Sequence, residues 1–229
     1  MPSLFAALEG VTVDFRELLS RHAAIAIEKQ LQLARSVAGS SWSWDLLCES
    51  FSFGDRSYAF QLLGIEQDET DRWRWAWADA ADLPPRLLGA AQTLRAFGRT
   101  YGVDELVQEE VPLDTVSGQE IAALACSLLD TPGFWRAPFN GAVAWLLLTD
   151  RALPRAVEPP PAEMARVLTR TLAIFPVDHA IALDAYVVHH GGSVERLGAT
   201  ATAHMRCGGH MVARFDELHR IERLEAKVA

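Results

Sequence analysis

Histidines 179, 189, 190, 204 and 210 are five of the seven in the chain, and Cys207 lies among them. The first chemistry to weigh is therefore metal binding. Zinc takes imidazole nitrogen and thiolate sulfur in a tetrahedron. His204, Cys207 and His210 could supply three ligands and His189 or His190 a fourth, provided that the hairpin carrying the first three folds onto the helix end carrying the others. Their spacing is unlike the established zinc patterns. The competing reading is structural: histidines in a last helical turn suit the negative end of the helix dipole, and Cys207 beside Gly208-Gly209 suits a tight turn. Acid–base chemistry has one candidate pairing, Asp178 or Asp184 near His179, although Asp178 is also placed as a helix cap.

Three tryptophans on alternate positions, Trp73, Trp75 and Trp77, follow the acidic run Glu66-Gln-Asp-Glu-Thr-Asp71. A period of two puts the indoles on one face of a strand, with Arg72 and Arg74 on the other. Packed inward, they are the core of a sheet facing the first helix. Lining a cleft, they would hold a flat or apolar ligand, with Asp79 just beyond the strand as the one charged group. Arg136, between aromatics in Phe134-Trp-Arg-Ala-Pro138, is the best lone anion-binding candidate, because a stacked guanidinium can grip a carboxylate with two parallel bonds. Its plainer reading is a stem covering Trp135.

Nucleophilic catalysis has no such support. The sequence holds no Gly-x-Ser-x-Gly elbow, no phosphate-binding glycine loop and no His-Glu-x-x-His helix. The reading leans away from an enzyme, and no cofactor is expected.

The elements that must position these residues are punctuated clearly. Asp14 and Glu17 have the form of a capping box ahead of a helix running through Leu19, Ala23, Ile27 and Leu31 to Gly39. Trp42 to Leu46, Tyr58 to Leu62 and the tryptophan segment alternate as antiparallel strands. A second helix starts at Asp82 and Pro84-Pro85 and stops at Gly102; Ser117 and Glu120 open a third, ending near Asp130. Phe134–Pro138 and Val143–Thr149 read as extended. After Pro154 and the stiff Pro159-Pro160-Pro161 come a fourth helix, stopped by Pro176, and a fifth, capped by Asp178 and closed at Gly191-Gly192. Val194 to Met205 and His210 to Phe215 form a hairpin turning at Cys207-Gly208-Gly209; in residues 217–227 Leu218, Ile221 and Leu224 fit a helix, but after two strands a further antiparallel strand is the reading taken. The fold class is α+β, antiparallel sheet packed against about five helices, with a C-terminal part similar to cystatin-like folds. One domain spans 1–229, with a possible internal boundary near 151–161.

Composition narrows the partners. The formal charge is −9, and residues 1–150 hold 21 acids against 11 bases, while residues 151–229 hold 9 against 10. Such a field repels phosphate backbones, so nucleic acid is not expected, and it steers basic proteins inward. No apolar run reaches membrane-spanning length, and the opening Met-Pro-Ser-Leu-Phe-Ala-Ala-Leu-Glu lacks a secretory layout, so the expected location is cytoplasmic with no membrane partner. Cysteines 48, 126 and 207 are scattered and suggest neither a disulfide framework nor a Cys-rich metal site. The leading expectation is a non-enzymatic binding protein with a protein partner, in an immunity or regulatory role; a small-ligand binder or enzyme with a tryptophan-lined cleft is the alternative.

The first helix, Gln61-Leu-Leu-Gly64 and Trp73-x-Trp-Ala-Trp-Ala together resemble an uncharacterised bacterial family, a domain of unknown function, over roughly residues 14 to 102. That family usually has Asn where this chain has Asp79. Phe134-Trp-Arg-Ala-Pro138 and Arg214-Phe-Asp-Glu217 are similar to later segments of it. The resemblance implies a fold and no activity.

Overall fold

The computed structural model describes residues 13–46, 48–155, 159–206 and 208–227. The chain opening, part of the 151–161 break and Cys207 therefore lie outside the described residues. The first helix, α1 (Phe15–Ser36), starts at Asp14, but no side-chain cap bond forms there. Glu17 instead pairs with Arg21 one turn on, at 2.7 Å, and so never reaches back to close the expected capping box.

The remaining elements follow in order: β1 (Trp42–Asp45), β2 (Ser50–Phe53), β3 (Arg56–Ser57), β4 (Phe60–Gln67), β5 (Arg72–Trp75), α2 (Gly89–Tyr101), β6 (Glu110–Pro112), α3 (Gly118–Leu128), β7 (Gly133–Phe139) and β8 (Ala142–Leu148). Beyond them lie α4 (Pro161–Ile174), α5 (His179–His189), β9 (Ser193–Leu197), β10 (Thr200–His204), β11 (His210–Phe215) and β12 (Ile221–Lys227). Among the described residues, five α-helices and three antiparallel sheets make this an α+β fold. Among the described residues, no helix is long and apolar enough to cross a membrane.

The chain divides into two compact units. The first is Leu33–Pro154 with the described residues up to Phe15; the second is Arg16–Gln32 with the described residues from Arg155 on. The first is built on a five-stranded sheet in the order β6-β5-β4-β8-β7. Strand β8, between β4 and β7, is buried along nearly its whole length, as the apolar run Val143–Leu148 requires. Helices α2 and α3 pack on one face. On the other, Phe51 and Phe53 of the small β1-β2-β3 sheet meet Trp135, with ring centroids 6.1 and 4.9 Å away. Helix α3 opens at Ser117 and Glu120 as read, and they form a capping box: the Ser117 hydroxyl accepts from the Glu120 amide, and the Glu120 carboxylate accepts from the Ser117 amide at 2.7 Å. Helix α2 ends on Gly102 in the left-handed conformation, φ 70°.

The second unit holds most of α1, then α4, α5 and the sheet β12-β11-β10-β9. Pro161 occupies the first turn of α4, where a missing N–H leaves no bond unmade. Ala201, Ala203, Met211 and Ala213 form the buried face of its two central strands. The segment read as one strand from Val194 to Met205 is two strands, joined at Gly198 (φ 57°) and Ala199. A two-residue turn keeps the period of two, so alternation passes through it unbroken. Residues 221–227 form the edge strand β12 rather than a helix.

Candidate functional site

The tryptophan segment departs from the expected strand at its third indole. Strand β5 ends at Trp75, and Ala76–Asp79 coil into a 3-10 turn that carries Trp77. The partner strand runs out: the Trp75 amide bonds to the Glu109 carbonyl at 3.1 Å, and β6 begins only at Glu110. All three side chains are nevertheless buried, Trp73 and Trp75 completely. Trp73 meets Trp75 edge-on at 5.3 Å, and Trp75 lies nearly parallel to Trp77 at 6.5 Å.

Each neighbour of this cluster has a packing reason. The Trp75 indole N–H donates to the Glu105 carbonyl at 2.9 Å. The Arg95 guanidinium lies 3.7 Å over the Trp77 ring, a cation–π contact. Gly64 faces Trp73, and a Cβ there would stand 2.4 Å from its ring and 2.5 Å from the Arg74 carbonyl oxygen. The Gln61 side chain accepts from the Ala90 amide in the first turn of α2. The Trp73 and Trp77 N–H groups find no acceptor among the described residues, at roughly 1 to 3 kcal/mol each. Burying an indole returns about 4 to 6 kcal/mol, so packing prevails. The helices covering this face within the unit are α2 and α3. A Gly64→Ala variant is expected to lose about 1 to 3 kcal/mol of stability by urea unfolding, because the carbonyl half of its clash cannot swing aside.

Asp79 is half-buried and holds Arg74 in a fork: the Arg74 Nε and Nη2 donate to its carboxylate at 2.9 and 2.7 Å. Arg74 Nη1 donates to Glu110 at 2.7 Å, and Arg72 reaches the other Glu110 oxygen at 3.1 Å. Two arginines and two acids thus satisfy one another on the face of β5 opposite the indoles. Together they raise the Arg74 pKa, the Asp79 hydrogen bond being the largest cause. The Asp79 charge is engaged on that face rather than offered to a ligand at the indoles. Arg136 is exposed on the edge strand β7, opposite Trp145 of β8.

The family model of a family of unknown function (DUF6882) matches residues 16–151. The chain belongs to that family. The DUF6882 match takes in Gln61, Gly64 and the Trp73–Trp77 segment, which here cap a helix, admit an indole and fill a core. No curated protein and no solved structure matches the chain.

In the second unit, His204 and His210 are directly paired across β10 and β11, with ring centroids 6.4 Å apart. Glu195 approaches His204 to 3.7 Å. Their expected partner Cys207 lies outside the described residues. The end of α5 does meet β10: a Cβ on Gly192 would stand 2.4 Å from the His204 carbonyl oxygen. The His190 ring, however, turns to Glu28, with its Nε2 at 2.8 Å. Among the described residues, no group of three or more His, Cys, Asp or Glu is placed to hold a metal ion.

The acid–base candidates at the other end of α5 are each engaged. Asp178 accepts from the Ala180 and Ile181 amides at 2.8 and 2.9 Å, a helix cap. Asp184 holds Arg196 at 2.8 Å. His179 Nδ1 accepts from the Ile221 amide at 2.9 Å, tying the start of β12 to α5. Burial moves the His179 pKa down, with the Asp178 charge opposing.

Sequence reading passed over a buried polar cluster. Glu28, 7% exposed, accepts from the Tyr186 hydroxyl as well as facing His190, and Tyr186 is wholly buried. Burial and the Glu28 charge push the Tyr186 hydroxyl well above its ordinary pKa. The available signal was a glutamate directly after the apolar run Ala23–Ile27 of α1. His22, on the same helix and 5% exposed, is pushed down to about 4 by burial first and by His189, Arg21 and Lys29 next.

Proposed function

We propose that this protein is a non-enzymatic binding protein that engages a basic protein partner through an acidic edge of its first unit. The observation that carries this reading is the grouping of Asp68, Glu69, Asp71 and Asp114, all exposed, at one end of the β4-β5-β6 ladder. The Leu113 amide bonds to the Asp71 carbonyl at 3.0 Å and so brings Asp114 beside that turn. Among the described residues none of the four is in an ion pair, while Arg72 and Arg74, the cations on the adjoining strand, are held by Glu110 and Asp79. Four exposed carboxylates with no local counter-charge favour a cationic surface and speed its approach.

The edge strand itself is not the docking element. Pro112 gives β6 no outward donor at its second half, and its carbonyl is taken by the Thr115 and Val116 amides. Recognition is therefore by side-chain charge. A cytoplasmic place of work, in an immunity or regulatory role, accords with Cys48 and Cys126 forming no disulfide among the described residues. The alternative of a tryptophan-lined cleft has less in its favour, because α2, α3 and their own neighbours fill the space around the indoles.

The test is titration of the full chain with a synthetic lysine-rich peptide at low and near-physiological salt. Binding is expected to weaken with added salt, and to fall by about tenfold or more in the variant Asp68→Asn, Glu69→Gln, Asp71→Asn, Asp114→Asn. Equal affinity in parent and variant would remove the acidic edge from the account.

A further inference from the structure

We infer that the second unit carries a binding site for a small aromatic carboxylate, in a cleft at the end of its sheet where the β9–β10 turn and the β11–β12 loop stand beside the first turn of α5. The cleft has a volume of about 360 Å³ and is lined by Ala180, Arg196, Ala199, Thr200, Phe215 and His219, with Gly198 and Asp216 completing it. That volume falls in the lower part of the range of small-ligand pockets, roughly 300 to 1,000 Å³.

Its walls are fixed. The Phe215 amide bonds to the Ala199 carbonyl at 2.8 Å, joining the two turns, and His179 ties the start of β12 to α5. Phe215 with Ala180 and Ala199 presents an apolar body, and Leu197 and Leu218, 87% and 70% exposed, lie in the same turns. The chemistry at the polar side is that of anion recognition. Arg196 uses one terminal nitrogen, which donates to Asp184 at 2.8 Å and more distantly to the Ala180 carbonyl. Its Nε and other terminal nitrogen have no partner among the described residues, and each leaves a charged donor for a carboxylate oxygen. The Thr200 hydroxyl lies in the same lining.

The one acid in the lining does not oppose this. Asp216 is occupied by its own loop, accepting from the Leu218 and Arg220 amides at 2.9 and 2.8 Å and pairing with the Arg220 guanidinium at 2.8 Å. An aromatic ring against Phe215 with a carboxylate on Arg196 satisfies both sides of the cleft, whereas a neutral ligand leaves the guanidinium edge unused. This site is in the other unit from the acidic edge and does not depend on it.

The probe is phenylacetate, with phenylacetamide as its uncharged counterpart, titrated into the full chain and followed by backbone amide shifts. Saturable shifts at Ala180, Thr200 and His219 are expected, with half-saturation near about 1 mM, as suits a ligand of this size. Arg196→Gln is expected to weaken binding about tenfold or more, and Arg196→Lys, which keeps the charge, by a smaller factor. No saturable shift, equal binding of the amide, or unchanged affinity in both variants would overturn the assignment. Because Arg196 is substantially exposed, the spectrum of each variant away from the cleft reports whether its fold is intact.

Discussion

Replacing Trp73 with alanine is expected to destabilise the first unit by about 3 to 5 kcal/mol, the range for deleting a large aromatic from a closed core. The side chain has no exposed surface, and it is packed edge-on to Trp75 and directly over Gly64. Collapse around the void is restricted because Gly64 has no side chain to move in and Trp75 is held by its bond to Glu105. All seven tryptophans fall between residues 42 and 145, within the first unit, so urea unfolding followed by indole fluorescence reads that unit alone. A loss below about 1 kcal/mol would mean that the indole lines open space, as a pocket wall does, and the reading of this segment as scaffold would fail.

The second large effect is a loss of stability in mild acid, centred on His22. Its imidazole is buried neutral, with a pKa of about 4 in the folded protein against 6.5 in the unfolded chain. Between those values the unfolded state binds a proton that the folded state does not. Stability contributed by this group is therefore fully present above pH 6.5 and is lost as pH falls toward 4. Over the two units from pH 6.5 to 4.5 the loss is about 2 to 3 kcal/mol. His179, also shifted down by burial, adds in the same direction. Asp150 and Asp216 are shifted below the carboxylate value of 3.8, so their contributions disappear only in stronger acid. Native-state hydrogen exchange of α1 and α5 amides at pH 6.5 and 4.5 measures this in the unit that lacks tryptophan. The His22→Leu variant is expected to show a shallower dependence, and the His22 ring signals are expected to stay neutral down to about pH 5. A ring that titrates near 6.5, or identical pH dependence in parent and variant, would contradict the assignment.

How much of this could be read in the residues depends on whether each pattern had one physical meaning. Ser117 and Glu120 read as the opening of a helix, and there they form a capping box. Asp14 and Glu17 have the same spacing and do not, because Arg21 one turn later competes for the glutamate. Strand β8 follows from an apolar run too short for a typical helix. The turn at Gly198 was hidden because a two-residue hairpin preserves alternation. Trp77 leaves the strand because β6 stops pairing, a fact about a three-residue partner containing Pro112 that has almost no pattern of its own.

The candidate sites show the same division. The acidic run was visible, but Glu66 belongs to β4 and accepts from the Gly118 amide at 2.8 Å, taking it out of the turn. Asp114 joins that turn only through a long-range ladder bond. The role of Asp79 could not be separated from solvation without knowing that Arg74 and Glu110 face it. Glu28 and Tyr186 are 158 residues apart, and nothing local announces their pairing. The cleft at Arg196 is assembled from two turns and a helix start, with no motif in any of them.

The most direct test of the central claim, that the tryptophan segment is closed scaffold and recognition belongs to the acidic edge, is an amide and indole N–H correlation spectrum recorded during titration with the lysine-rich peptide. The account predicts that the amides of Asp68, Glu69, Asp71 and Asp114 move together and saturate, while the indole signals of Trp73, Trp75 and Trp77 stay in place. Movement of those three indoles with the acidic edge unperturbed would contradict it.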